Sequence, residues 1–269
     1  MTLFEDATAV FRKEDGTFEA TIDGKWWVVR GPHGGYLTAI ILRALTELIN
    51  DDERSVRSFT THFVAPPEEG PIEIVPTIER SGRSITYASA RLVQKGRTMA
   101  TSVAAFAKPW ESDISYDHAR PPEVPPPDEC MQTPEAGPML PTFLQNFDMW
   151  WGIGPIPYSG SDETTIGGWL RLKDVTSVDA PAVACLLDAW APAVLPRATA
   201  PVVAPTVDIT MHFRRPVPHP GTQPDDVFLF RMTSRLAHEG YFEEDGELWA
   251  PDGALIAQVR QMAIALPIR

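Results

Sequence analysis

One short pattern occurs twice in this chain, and the repeat limits the folds that the chain can adopt. His-Phe-x-x-Pro begins at His62 and again at His212, each time at the end of an alternating strand pattern. An apolar helix is predicted before each copy, and further strand-like runs follow it. A repeat of this length indicates two copies of one supersecondary unit. We therefore expect an α+β fold of two tandem units, each with an antiparallel sheet wrapped around a buried helix.

A proline-rich segment separates the two predicted units. At 269 residues, the chain is long enough for one large domain or two of ordinary size. We expect the first unit at 1–108, an extended linker at 109–141 and the second unit at 142–269.

Hydrophobic periodicity and turn residues predict the individual elements. One apolar helix is expected at 36–50, and a second begins at a cap on Ser177 or Asp179 and ends near Pro192. Asp23-Gly24 predicts the turn of a hairpin. Strands are predicted at 17–22, 25–29, 56–65, 72–80, 84–94, 98–108, 143–151, 167–172, 206–215, 226–236, 240–249 and 254–265.

Composition excludes several classes of function. A formal net charge of −13 argues against a nucleic-acid partner, although a local basic patch could still bind a small anion. The first residues lack the pattern of a signal peptide, and no run of 18 apolar residues could span a membrane. We therefore expect a cytoplasmic protein. Cys130 and Cys185 lack metal-ligand spacing, so we expect neither a metal site nor a disulfide framework.

Asp188 is the first candidate for chemistry. It is the only charged residue between 183 and 191, within the second predicted helix. A carboxylate among such apolar neighbours is desolvated unless it faces a cleft, and an unpaired buried charge is costly. Asp188 could instead mark the one exposed stripe of the helix. We favour a functional role because perturbed carboxylates concentrate at active sites.

The repeat also singles out Thr206 and Gln261. Alone, a threonine at a strand start is ordinary, and a glutamine in a last strand usually faces solvent. Aligned on the repeat, however, Thr206 lies opposite Val56, and Gln261 lies opposite Ala104. The second unit is polar where the first is apolar, so we expect the chemistry in the second unit.

Several motifs, in their order and spacing, make the chain resemble a known family. They are His33-Gly34-Gly35, the segment Arg80-Ser81-Gly82-Arg83-Ser84, Gln94-x-Gly96, the second unit's Pro205-Thr206-Val207-Asp208, and Asp252-Gly253 with Gln261. The chain resembles the double-hotdog acyl-CoA thioesterases of the thioesterase II type over nearly its whole length except the linker. This resemblance implies a double-hotdog fold, an acyl-CoA substrate, a homo-oligomer and the catalytic residues Asp188, Thr206 and Gln261.

Those three residue types suit thioester hydrolysis. The reaction needs a held water, a base and donors for the developing oxyanion. Asp188 can accept a proton from the water, while Thr206 and Gln261 can hold that water. None of the three is a good covalent nucleophile here. We therefore expect direct attack by water, giving a free acid and CoA, with no cofactor beyond the CoA of the substrate.

Two further groups are predicted to contact the substrate. Gly34 and Gly35 open a helix, so their N–H groups could bind the oxyanion, although they could also simply permit a tight turn. The resembled family usually has glutamine after the paired glycines, and this chain has Tyr36. Arg80 and Arg83 are weaker candidates for the phosphates of CoA, since arginines at strand ends are often only solvated.

Two other functions are left open by the sequence. One is a hotdog enoyl-thioester hydratase, which usually pairs an aspartate with a histidine in one helical segment, and no histidine lies near Asp188 in the chain. The other is a non-catalytic acyl-CoA-binding module. The absence of Gly-x-Ser-x-Gly argues against a thioesterase of the α/β-hydrolase type.

Overall fold

The structure, a computed structural model, describes residues 2–134, 137 and 140–267. These ranges contain the helices α1 (Leu3–Ala7), α2 (Gly34–Ile49) and α3 (Ala180–Leu186). Short 3-10 helices lie at Gly24–Trp26, Pro127–Glu129, Thr142–Asn146 and Leu195–Arg197.

The strands of the described residues are, in chain order, β1 (Phe11–Arg12), β2 (Phe18–Ile22), β3 (Ser55–Phe63), β4 (Gly70–Ser81), β5 (Ile85–Gln94), β6 (Arg97–Ala107), β7 (Met131–Gln132), β8 (Phe147–Ile153), β9 (Thr165–Leu172), β10 (Val202–Val203), β11 (Thr206–Phe213), β12 (Phe228–Thr233), β13 (Ala237–His238), β14 (Tyr241–Trp249), β15 (Leu255–Ile264) and β16 (Leu266–Pro267). One antiparallel sheet has the spatial order β1-β2-β4-β5-β6-β3-β11-β15-β14-β12-β9-β8-β7, with β13 beside β14. A separate pair is formed by β10 and β16.

The two units join edge to edge through β3 and β11. These strands carry the repeated pattern and pair antiparallel, with Thr60 opposite Thr210 and the two hydroxyl oxygens 3.0 Å apart. On either side of this pair the strand order mirrors itself: β6, β5, β4 and β2 follow β3, and β15, β14, β12 and β9 follow β11. The junction is therefore a local pseudo-twofold axis between the units.

The ladder registers confirm the alignment of the repeat at the positions that matter for chemistry. A bulge lies directly after Val56 in the pairing of β3 with β6, and another lies directly after Thr206 in the pairing of β11 with β15. Ala104 and Gln261 pair with the residues immediately before Thr60 and Thr210, respectively. The predicted matches of Val56 with Thr206 and of Ala104 with Gln261 therefore hold in three dimensions.

Each sheet half covers one helix, as the double-hotdog prediction requires. α2 is buried on nearly every face from Gly35 to Leu45, because its apolar residues follow one another around the whole helix. The last six residues of α3, from Pro181 to Leu186, are all buried as well. The two helices pack against each other, so the units share one hydrophobic core. The predicted α+β double-hotdog fold is confirmed.

The hairpin predicted at Asp23-Gly24 is wrong. The residues after β2 form the 3-10 helix Gly24–Trp26, and the Asp23 carboxylate accepts a hydrogen bond from the N–H of Lys25 at 2.9 Å. β2 pairs with β1 and β4 instead. Aspartate commonly binds the N–H two residues on, in turns and at helix caps alike, so the local sequence fits both structures.

Part of the predicted linker packs on the second unit. Met131–Gln132 forms β7 against β8, and the indole N–H of Trp169 donates to the carbonyl of Pro125 at 2.7 Å. The strand predicted at 143–151 begins later, at Phe147, after a 3-10 helix. Residues 135, 136, 138 and 139 of the predicted linker lie outside the described residues.

Within the described ranges, no helix is long and apolar enough to cross a membrane. The same ranges contain no cluster of three or more His, Cys, Asp or Glu side chains that could hold a metal ion.

Candidate active site at the junction of the two helices

Asp188 lies just beyond the C-terminus of α3. The helix ends at Leu186, so the prediction of a helix reaching close to Pro192 is wrong. Proline has no N–H to bond the carbonyl four residues earlier, and its ring clashes with that carbonyl. For Pro192 that carbonyl belongs to Asp188, which is therefore free to bind elsewhere. Both its carbonyl and its carboxylate contact the N-terminus of α2.

The imidazole of His33 connects the start of α2 to the end of α3. Its Nδ1 accepts a hydrogen bond from the N–H of Tyr36 at 3.2 Å, which caps α2. Its Nε2 lies 2.8 Å from the carbonyl oxygen of Asp188 and 3.3 Å from Oδ2. Because Nδ1 acts as an acceptor, the neutral ring carries its hydrogen on Nε2 and donates to Asp188. The ring is buried, with Phe143 stacked on it.

The three residues predicted to be catalytic form one hydrogen-bonded chain. The Thr206 hydroxyl donates to Gln261 Oε1 at 3.0 Å, and Gln261 Nε2 donates to Asp188 Oδ1 at 3.3 Å. Thr206 comes from the start of β11, Gln261 from β15 and Asp188 from the segment after α3. The other carboxylate oxygen, Oδ2, accepts from the N–H of Gly35 at 2.7 Å. Residues far apart in sequence thus surround one carboxylate.

Burial governs the electrostatics of Asp188. Desolvation raises the pKa of this carboxyl above its usual range. The neighbouring His33, the N–H of Gly35 and the amide of Gln261 all favour the ionised form and oppose that rise. A desolvated carboxylate with a raised pKa is a stronger base than one in water, so the arrangement suits proton abstraction.

The paired glycines let α2 and the end of α3 approach closely. A Cβ on Gly34 would lie 2.8 Å from Asp188 Oδ2, and one on Gly35 would lie 2.8 Å from the carbonyl oxygen of Cys185. Contacts under 3.0 Å require something to move. The N–H of Gly35, predicted to face the substrate, is already bound to Asp188. The N–H of Gly34 has no hydrogen-bond partner within the described part of the chain.

Tyr36, which stands where the resembled family has glutamine, points away from Asp188. Its ring is fully buried and stacks on Trp26 with centroids 4.9 Å apart. Its hydroxyl lies 2.9 Å from the carbonyl oxygen of Ala7 and 3.1 Å from that of Thr21, and its one hydrogen is donated between them. Burial raises the pKa of this phenol. Tyr36 is therefore part of the first unit's core.

Arg80 and Arg83 are not brought to this cluster. They line a cleft of about 620 Å³ together with Tyr87 and Trp110. Arg54, which follows the C-terminus of α2, donates to the carbonyl of Arg83 at 3.1 Å. The cleft is thus at the opposite end of α2 from Gly34, and a helix of that length spans roughly 24 Å. The two arginines do not contact the site around Asp188.

One buried acid near the site was missed by the sequence analysis. Glu244 of β14 is 2% exposed and lies directly opposite Gln261 in the ladder between β14 and β15. Its carboxyl accepts a hydrogen bond from the N–H of Ala193. The signal was present in the sequence, because Glu244 is in phase with the buried Phe242 and Leu248 along an alternating strand.

Solved structures resemble the whole chain. A hotdog-fold protein of unknown function from Alicyclobacillus acidocaldarius is 26% identical, with a TM-score of 0.83 over 99% of this chain and 98% of that one. A protein assigned as a thioesterase II from Thermobifida fusca is 28% identical, with a TM-score of 0.82 over 98% of both chains. An acyl-CoA thioesterase II from Mycobacterium marinum shares the fold at 20% identity and a TM-score of 0.76, over 98% of both chains.

Sequence comparison with family profiles agrees with these structures. No curated protein matches the chain. The profile of the acyl-CoA thioesterase N-terminal domain matches residues 23–107, and that of the C-terminal domain matches residues 127–265. The two matches fall on the first and second units and together leave out only the chain ends and part of the proline-rich segment. The chain therefore belongs to the acyl-CoA thioesterase family.

Proposed function

We propose that this protein hydrolyses an acyl-CoA thioester by direct attack of water, with Asp188 as the general base. The observation that supports this most strongly is the chain of hydrogen bonds from Thr206 through Gln261 to the buried Asp188 carboxylate. It offers a base and two polar side chains within reach of one water, and no serine or cysteine nucleophile takes part.

In the proposed reaction, Asp188 Oδ1 accepts a proton from water while the water oxygen bonds to the thioester carbonyl carbon. The Thr206 hydroxyl and the Gln261 amide orient that water. The carbon–sulfur bond then breaks, and the CoA thiolate takes the proton that Asp188 received. His33 and the N–H of Gly35 keep the carboxylate in place and do not contact the reacting atoms.

The N-terminus of α2 supplies the polarising donor in this proposal. Of the two glycine N–H groups considered, that of Gly35 is bound to Asp188, whereas that of Gly34 has no partner among the described residues. The helix dipole adds a partial positive charge at this end, which favours an oxyanion. We therefore assign the oxyanion contact to the N–H of Gly34.

The geometry favours hydrolysis over enoyl-thioester hydration. The structure does place a histidine beside Asp188, which the hydratase alternative would need. Both ring nitrogens of His33, however, are engaged within the protein, one as the cap of α2 and one on Asp188. A ring held in this way has no nitrogen left to exchange a proton with a substrate. A homo-oligomer, a cytoplasmic location and the absence of a cofactor stay predictions.

Incubation with a panel of acyl-CoAs of different chain length tests the proposal. We expect release of free CoA thiol, measured with a thiol reagent, for at least one member of the panel. Crotonyl-CoA serves as the second substrate, because its hydration is followed separately by loss of absorbance of the conjugated double bond. Hydration without thiol release would contradict hydrolysis, and saturable binding without turnover would instead support the non-catalytic binding module.

A further inference from the structure

The interior of the second unit contains a second buried carboxyl whose position the catalytic cluster does not explain. Glu244 lies on the inner face of β14, and its partner across the ladder is Gln261, which donates to Asp188. Directly opposite residues of an antiparallel pair have Cβ atoms about 4.5–5.5 Å apart, so these two side chains are neighbours. Glu244 therefore lies next to the amide that holds the proposed base.

Glu244 also fixes the segment that carries Asp188. This segment, 187–193, leaves α3, and its helix- and turn-type hydrogen bonds extend only as far as the N–H of Ala189, which donates to the carbonyl of Leu186 at 3.2 Å. The carboxyl of Glu244 accepts from the N–H of Ala193 at one end, while the contacts of Asp188 with α2 hold the other end. A segment held at both ends keeps its side chains in a defined geometry.

The first unit has no counterpart of this acid. In the ladder between β5 and β6, Ala88 lies opposite Ala104, the equivalent of Gln261. Glu244 therefore occupies the position of Ala88, which is fully buried. The fold does not need an acid at this position, so the acid in the second unit calls for a reason other than sheet formation.

We propose that Glu244 is a positioning residue of the active site, which holds segment 187–193 through Ala193 and packs against Gln261 so that Asp188 keeps its reactive geometry. This inference rests on the proposed thioesterase function. Glu244 acts through other residues and does not touch the substrate.

The charge state of Glu244 gives the proposal a distinctive pH dependence. Burial, with the nearby Asp188 and Glu243, raises the pKa of Glu244 to about 8, whereas its contact with Ala193 opposes the rise. Arg260 of β15 pairs with Glu243 on the outer face of the sheet. His33, the N–H of Gly35 and the amide of Gln261 favour the ionised form of Asp188, whereas only the N–H of Ala193 favours that of Glu244. At neutral pH the site therefore holds Asp188 as the carboxylate and Glu244 as the neutral acid.

The test compares Glu244→Ala and Glu244→Gln with the wild type. Alanine, the residue at the equivalent position of the first unit, removes the contact to Ala193, and we expect kcat to fall about 10²-fold with little change in KM. Glutamine keeps a carbonyl acceptor but cannot ionise, so it should restore most of kcat at pH 7. Glu247→Gln, on the outer face of the same strand, is the matched control and should behave as wild type.

The pH profile separates positioning from a merely structural role. Wild-type turnover should decline above about pH 8 as Glu244 ionises beside Asp188, whereas Glu244→Gln should keep its turnover there. A folded Glu244→Ala variant with full kcat would overturn the proposal, as would a glutamine variant that shares the wild-type alkaline decline.

Failure of the proposed function would look different. A wild-type protein that releases no CoA refutes the hydrolysis. The role of Glu244 in the fold can then still be tested by melting temperatures, which need no activity. Because the pKa of Glu244 is raised in the folded protein, its protonated form stabilises the fold fully at pH values below the usual pKa of glutamate. This contribution is lost as the pH rises through the folded pKa of about 8. The melting temperature of Glu244→Gln should therefore rise relative to wild type as the pH increases from 4.5, the ordinary pKa, to about 8, and the difference should be constant above that. A difference that does not change with pH would contradict the inference.

Discussion

The two units follow the same register and place different side chains on the inner face of the sheet. At three equivalent positions the first unit has Val56, Ala88 and Ala104, and the second has Thr206, Glu244 and Gln261. All three first-unit residues are buried among apolar neighbours. The substitutions in the second unit each add a hydrogen-bonding group to the interior, where such groups are costly unless they are paired.

The central helices of the two units also differ, and the difference again places the polar groups in the second unit. α2 has 16 residues and is buried along its first three turns, whereas α3 has 7 and ends where Asp188 turns toward α2. The first unit thus provides a long apolar helix and its N-terminus, and the second provides the acid and the polar side chains. The comparison teaches that neither unit forms the site alone, because the carboxylate of one is held by the helix start of the other.

The largest effect is expected from Asp188→Asn. The amide is nearly isosteric but is not a base, so turnover should fall at least about 10²-fold while the protein stays folded. Thiol release and the melting temperature measure the two properties. Asp208→Asn, on the outer face of β11, is the control and should keep its activity. Near wild-type turnover by folded Asp188→Asn would remove this residue from the reaction.

The second-largest effect is expected from substitutions that make the second unit resemble the first. Thr206→Val and Gln261→Ala introduce the residues found at the equivalent first-unit positions, and each should lower kcat by about 10- to 10²-fold because the water is no longer held in line. KM should change less, since these side chains position water and not substrate. Steady-state kinetics decide this, and variants that lose only substrate affinity would contradict the water-holding role.

A smaller effect is expected where the two helices touch. Gly35→Ala places a Cβ against the carbonyl oxygen of Cys185, so we expect a loss of about 1–3 kcal/mol in unfolding free energy, with reduced turnover. Gly24→Ala is the control, because its Cβ would meet only the end of the flexible Glu69 side chain. Denaturant unfolding measures both. Equal stability of the two variants would show that the helices can separate without loss.

The smallest effect on activity is expected from the reverse exchange. Ala104→Gln introduces the second unit's amide into the first unit, where the ladder partners of this position are Phe59 and Ala88. We expect turnover to be unchanged and stability to fall by about 1–3 kcal/mol, the cost of a buried unpaired amide. Ala105→Gln, whose side chain faces the other side of β6, should cost little. Thermal melts with thiol-release assays test this, and a fully stable Ala104→Gln variant would mean that the first unit's interior tolerates polarity.

The repeat made most of the fold predictable from the sequence. Strand alternation and the buried first helix depend on burial pattern, which the sequence carries directly. The two predictions that were wrong, the hairpin and the end of the second helix, concern segments whose local sequence fits more than one structure. Asp23-Gly24 suits a hairpin and a helix cap equally, and the apolar run around Asp188 gives no local signal that α3 ends at Leu186.

The site was predictable to the extent that the two units could be compared. Asp188, Thr206 and Gln261 were found because they differ from apolar equivalents or neighbours, and the structure brings them together. The same comparison would have found Glu244, because the equivalent position of the first unit is Ala88. The role of His33 was hidden because it depends on the packing of two helices from different units. Arg80 and Arg83 lie in a separate cleft, and their contact with the phosphates of CoA stays a prediction.

The edge-to-edge pairing around Thr60 and Thr210 has an evolutionary consequence. In a symmetric dimer of single units, every substitution appears on both sides of the axis, so a polar residue gained in one interior is forced on the other. Covalent fusion of the two copies removes that constraint, because each copy then has its own codons. One copy can keep an inert, well-packed interior that stabilises the pair, while the other accumulates the buried polar groups of catalysis. In this chain the pseudo-twofold axis keeps the symmetric register of the strands, and Gln261 in the position equivalent to Ala104 breaks that symmetry in the interior.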